Sequence, residues 1–104
     1  MSQISKDEIL NAMHITQHSV EIHLPLPPTP LKTEQWANEF ANQFKLEQSE
    51  FDWGADRFQV VLNTQQHEPH LQCILCIEWL CEAMWLEPIG AQQSPQMLAD
   101  YFRQ

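Results

Sequence analysis

The stretch Leu71 to Pro88 reads L-Q-C-I-L-C-I-E-W-L-C-E-A-M-W-L-E-P, and it holds two of the four Trp and all three Cys of the chain. Its apolar residues are too dense for a surface loop. Leu71, Cys73, Leu75, Ile77 and Trp79 share one parity, and Ile74, Cys76 and Leu80 share the other. A strand that is apolar on both sides has the pattern of a central strand, so the rest of the fold has to be arranged around it. The run bends near Glu82, and Ala83 to Pro88 reads as a last antiparallel strand that Gly90 brings to an end.

Working upstream, Thr64 to His70 is a polar turn carrying Pro69, and before it Phe58, Val60 and Leu62 alternate with Arg57, Gln59 and Val61, the signature of one arm of a hairpin. Asp52-Trp53-Gly54-Ala55-Asp56 has turn composition, and Leu46 to Phe51 is weakly extended. Trp36, Phe40 and Phe44 recur at every fourth position with Ala37 and Ala41 alongside, which predicts a helix from Leu31 or Thr33 to Lys45 whose aromatic stripe lies on the sheet. Pro25, Pro27, Pro28 and Pro30 precede it and end a first strand over Gln17 to Leu24, where Val20, Ile22 and Leu24 alternate with Ser19, Glu21 and His23.

At the two ends, Ser5-Lys6-Asp7-Glu8 has the spacing of a capping box ahead of Ile9, Leu10 and Met13, and Ser94-Pro95 starts a short amphipathic helix with Met97, Leu98, Tyr101 and Phe102. The expected fold is therefore α+β, a two-layer sandwich in the order β-α-β-β-β-β-α. An antiparallel sheet of four or five strands carries the Trp36 helix on one face, with the C-terminal helix beside it or at its edge. One domain covers 1–104, since 104 residues leave no room for a second core, and residues 1–14 form a loosely attached N-terminal segment.

Charge and targeting signals narrow the function classes. Fourteen Asp and Glu against five Lys and Arg give a net charge of −9, and the basic residues Lys6, Lys32, Lys45, Arg57 and Arg103 are scattered. Such a surface repels nucleic acid and anionic membrane and favours a basic protein partner, if any. Cys73 to Leu80, interrupted by Glu78, is far shorter than the roughly 20 apolar residues of a membrane span. The N-terminus lacks the basic and apolar regions of a signal peptide, which points to the cytoplasm, and three Cys within nine residues suit reduced, buried thiols.

The sharpest chemical pattern is His67-x-x-His70-x-x-Cys73-x-x-Cys76, four ligand-type residues for zinc. An extended Leu71 to Trp79 argues against it, because Cys73 and Cys76 then point to opposite faces. The same opposition excludes a redox Cys pair, and no metal or cofactor is expected. Glu78, Glu82 and Glu87 mark solvent faces, as carboxylates that discourage strand-to-strand association, and His14, His18 and His23 lie exposed on or near the first strand. In Trp53-Gly54-Ala55-Asp56-Arg57, Gly54 suits a positive φ, Asp56 can accept from backbone amides, and Arg57 can pair with a carboxylate across the hairpin or, with Trp53 as an aromatic wall, clamp an anion.

These five residues, W-G-A-D-R, followed by W-L-E at Trp85 to Glu87, resemble a family of short bacterial proteins, a domain of unknown function. The likeness spans Phe51 to Pro88 and implies no particular activity. That family's pattern often has His after the Arg, and Phe58 stands there in this chain. No spacing for nucleophilic catalysis or phosphate binding is visible, so the expected function is a non-enzymatic interaction or adaptor domain, with a small enzyme or metal-binding protein at His67, His70, Cys73 and Cys76 as the alternative. Its binding residues are expected among Trp53, Asp56, Arg57, Glu78, Glu82, Trp85 and Glu87. The sheet face carrying Ile74, Cys76 and Leu80 is expected to be covered by a second copy or a partner, or else by a folded-back Ile9, Leu10 and Met13.

Overall fold

Alternation in the middle of the chain builds one apolar layer. In a computed structural model that describes residues 5–65, 70–90 and 93–104, β5 (Arg57–Thr64) buries Phe58, Val60, Leu62 and Thr64 and leaves the residues between them partly or fully open. Its neighbour β6 (Gln72–Glu78) places Ile77 opposite Phe58, Leu75 opposite Val60 and Cys73 opposite Leu62. The next strand, β7 (Ala83–Pro88), continues the layer with Met84 opposite Ile77 and Leu86 opposite Leu75. Period two has put all of these on one face.

The flanks add more strands than expected. A ribbon of β1 (Met13–Ile15) and β2 (Val20–Ile22) joins β7 at two residue pairs, Val20–Leu86 and Glu21–Trp85. On the far side β3 (Leu46–Gln48) and the two-residue β4 (Asp52–Trp53) both pair with β5. The sheet is thus seven-stranded and antiparallel throughout, in the order β1-β2-β7-β6-β5-β3 with β4 also on β5. This replaces the expected four or five strands. The expected first strand over Gln17 to Leu24 is shortened to Val20–Ile22 and gains an unforeseen partner in β1, because the Thr16 hydroxyl accepts the N–H groups of His18 and Ser19 and turns the chain before Val20.

Three helices follow from local signals. The first, α1 (Lys6–Asn11), is capped by the Ser5 hydroxyl, which accepts the Glu8 N–H at 3.0 Å. α2 (Pro30–Gln43) starts where the Thr29 hydroxyl accepts the Lys32 N–H, with Pro30 at the position that needs no donor. It buries Thr33, Trp36, Ala37, Phe40 and Ala41. Its 14 residues span about 21 Å, close to the roughly 19 Å between β2 and β3 across the three intervening strands, so it carries the chain over the sheet from one side to the other.

α3 (Pro95–Phe102), capped by Ser94, lies beside α2, with the Phe102 ring 5.6 Å from Phe40 and 5.0 Å from Phe44. The Tyr101 hydroxyl donates to the Phe44 carbonyl at 2.6 Å and so satisfies one of the acceptors that the end of α2 leaves open. α1 joins the same side: Ile9 has no exposed surface, Met13 is buried with it, and Lys6 Nζ lies 5.3 Å from the centre of the Phe44 ring. Residues 9–13 therefore belong to the core and do not fold over the opposite face. No helix among the described residues is long and apolar enough to cross a membrane.

Candidate functional site: the open face of the sheet

With all three helices on one side, no helix or strand among the described residues covers the other side of the sheet. The pairing runs His14, Glu21, Trp85, Cys76, Gln59 and Asp52 in one row across the strands, with Glu87, Ile74 and Val61 in the next. A third row holds Ala83, Glu78 and Arg57, and a fourth includes Gln72, Asn63 and Glu47. Ile74, Val61 and Trp85 are half-buried; Val61 pairs with Ile74, and Trp85 lies diagonally across from Ile74 on β7, a small apolar centre with no second layer above it among the described residues. Around it, among the residues in these four rows, stand Glu21, Glu47, Asp52, Glu78 and Glu87 against the cation Arg57. The face is therefore acidic as well as bare.

Cys76 belongs to this face yet is only 2% exposed. Its neighbours in the row cover it, and the Gln59 amide donates to its sulfur at 3.6 Å. Burial, followed by the nearby Glu87 charge, pushes the Cys76 thiol from 9.0 up to about 11. Cys73, on the helix side, goes up to about 12, again through burial and then through Cys76. The expected separation of these two residues on opposite faces is observed, and the strand itself keeps them from sharing one ion. His70 is exposed, with its carbonyl accepting from the Gln93 amide at 3.2 Å, and His67 lies outside the described residues. No group of three ligand-type residues converges among the described residues. The expectation of three buried thiols fails at Cys81, which is exposed in the β6–β7 turn, where the adjacent Glu78 pushes its thiol up.

Trp53 does not stand beside Arg57. It pairs with Phe58 and turns to the helix side, where its indole donates to Glu34 at 2.9 Å and stacks 5.9 Å from Trp79. Trp79 is anchored in turn by donating to the Pro27 carbonyl at 2.9 Å. These bonds fasten the start of α2 to the sheet, and Trp53 and Arg57, the two parts of the expected anion clamp, stand on different faces. Gly54 is required for a different reason from the one expected. Its φ is not positive; a Cβ there would meet Arg57 Cγ at 2.9 Å, so the glycine makes room for the arginine stem. The Asp56 carboxylate accepts no hydrogen bond among the described residues, whereas its main-chain carbonyl accepts from Trp79 N–H at 3.0 Å.

The remaining expected residues separate into two groups. Asp56, Arg57 and Glu78 line a shallow depression with Leu80 and Cys81, about 320 Å³ in volume. Glu82, Trp85 and Glu87 line a larger groove of about 510 Å³ where β2 and β7 part company. Pairing stops at Glu21–Trp85, while β2 goes on to Ile22 and β7 begins earlier, at Ala83. On the far wall stand Glu21, His18, His23 and Leu24. The Glu21 carboxylate pairs with the His23 ring at 2.9 Å, and the His14 and His23 rings stack at 4.1 Å.

Reading the sequence missed Glu21 and the histidines as parts of this wall. Their polar parity in the first strand was visible, but the partner strand across from them was not. No family model, curated protein or solved structure matches the chain. The W-G-A-D-R and W-L-E likeness therefore rests on those residues alone, and in this fold they contribute a tight turn and one wall of the groove.

Proposed function

We propose that the protein is a cytoplasmic, non-enzymatic interaction domain that binds a basic protein through the open face of its sheet. The observation that supports this most directly is the one-sided distribution of the helices. A seven-stranded sheet with Val61, Ile74 and Trp85 on three neighbouring strands of its free side offers apolar contact that water solvates poorly. The ring of carboxylates around that centre selects among partners. Two copies placed face to face would bring one acidic border against the other, a like-charge arrangement that costs several kcal/mol. A partner rich in Lys and Arg meets the opposite situation, with faster encounter as well.

Photocrosslinking tests the proposal. A benzophenone amino acid placed at Val61, on the open face, is expected to trap a basic protein in cells, and the adduct should vanish when Glu21, Glu78 and Glu87 are changed to Gln together. The same group at Leu31, which is 66% exposed on α2, serves as the opposite-side control. Equal adducts from both positions, no adduct from position 61, or adducts there only with the chain itself would each overturn the proposal.

A further inference from the structure

The groove between β2 and β7 narrows the chemistry of the partner. This step rests on the reading just given and concerns one corner of the same face. Every fixed charge on the groove walls is negative, from Glu21, Glu82 and Glu87. Trp85 sits directly across from Glu21 in the strand register, and Glu87 lies two residues along β7 on the same side. The Trp85 indole donates to Glu87 Oε1 at 2.7 Å, which fixes the ring beside that carboxylate. His23 takes Glu21 Oε1 at 2.9 Å. Each of these two bonds uses only one oxygen of its carboxylate, so Glu21, across the strand pair, and Glu87, along β7, both keep a second oxygen near the ring.

We infer that this groove is a seat for an arginine side chain from an extended segment of the basic partner. A guanidinium is flat, so it can lie on the indole and still direct its N–H groups outward in its own plane to the carboxylates beside the ring, Glu21 across the strand pair and Glu87 along β7. The three-carbon stem of the arginine fits the less polar part of the groove at Leu24 and Ala83. A lysine ammonium gains the charge but not the stacked plane, so it binds more weakly. Glu82 adds to the negative field from a left-handed backbone position, φ 49°, which a glycine would occupy with less strain. The carboxylate stands where the backbone alone would favour its loss.

The test uses an acetylated, amidated Val-Thr-Arg-Thr-Val peptide and the same peptide with citrulline for arginine, which keeps shape and loses charge. The arginine peptide should shift the Trp85 indole N–H resonance saturably, and the citrulline peptide should not. Glu21→Gln with Glu87→Gln should weaken the arginine peptide at least tenfold, while Glu47→Gln, on the same face near its far edge, should change it less than twofold. Equal binding of the two peptides, or unchanged binding to the double variant, overturns the seat. An arginine peptide that fails to bind while a basic protein still crosslinks at position 61 overturns the seat and leaves the wider reading standing. Arginine-specific binding with no adduct at position 61 supports the seat and removes the wider reading.

Discussion

The two faces of the sheet are made by the same strands and obey different rules. On the helix side Phe58, Val60, Leu62, Leu75, Ile77 and Leu86 are almost fully buried beneath Phe40 and Phe102. On the other side Val61, Ile74 and Trp85 are only half-buried, and carboxylates fill the positions around them. Burial explains the first set completely, since each residue there is stabilised by the apolar area it removes from water. It does not explain why the second face keeps an apolar centre inside an acidic border. A face selected only for solubility would replace Trp85 and Ile74 with polar residues, and that contrast makes recognition the better account of the open face.

The largest expected effect breaks the comparison on the helix side. Phe40 has no exposed surface and touches the rings of Trp36, Phe44 and Phe102. Phe40→Ala should destabilise the protein by about 3–5 kcal/mol in urea unfolding, whereas Val61→Thr on the open face should change stability by under about 1 kcal/mol. Similar midpoints for the two variants would mean that the helices do not define the core side.

The next effect is a pH dependence. Cys73 and Cys76 have thiols raised to about 12 and about 11 from an ordinary 9.0, so above pH 9.0 the unfolded chain releases protons that the folded chain retains. Stability must then fall as pH rises, by about 1.4 kcal/mol per pH unit for each thiol, until its folded value is reached. Cys73→Ala should flatten that alkaline slope, and a slope unchanged by the substitution would contradict the burial of this thiol. In neutral native buffer a thiol reagent should modify exposed Cys81 first and Cys73 only after unfolding.

The smallest effect sharpens the comparison from the opposite side. Glu82 occupies a left-handed turn position, so Glu82→Gly should raise stability by about 1 kcal/mol through relief of backbone strain. Thermal unfolding reads this directly. A loss of stability would show that Glu82 is held there by structural contacts and would remove one sign that the groove favours charge over stability.

Much of the fold was legible where the signal was local. The Ser5 and Ser94 caps, the stripe of Trp36, Phe40 and Phe44 and the alternation of Phe58, Val60 and Leu62 each depend on neighbours within one or two turns or a few strand positions. The parity of Cys73 and Cys76 also sufficed to place them on separate faces. Strand number was not legible, because β1, β3 and β4 have only two or three residues each, too few to show an alternation of their own. The same holds for the site. Trp85 and Glu87 could be singled out, but the Glu21 opposite them arrives by a pairing across more than sixty positions of sequence, and Trp53 was drawn to the helix side by a bond to Glu34 that no motif announces.

The short junction between β2 and β7 also has a meaning in time. β5 and β6 share seven residue pairs, and β2 and β7 share two. Local opening begins where few hydrogen bonds and contacts must be given up together, so the amides of the β1–β2 ribbon exchange sooner with solvent than those of β5 and β6. Glu21 belongs to that ribbon and Glu87 to the firm centre of the sheet. A guanidinium held by both would lock the moving part onto the fixed part, so occupancy of the groove would appear as slower exchange through residues 13–22, well beyond the atoms the ligand touches.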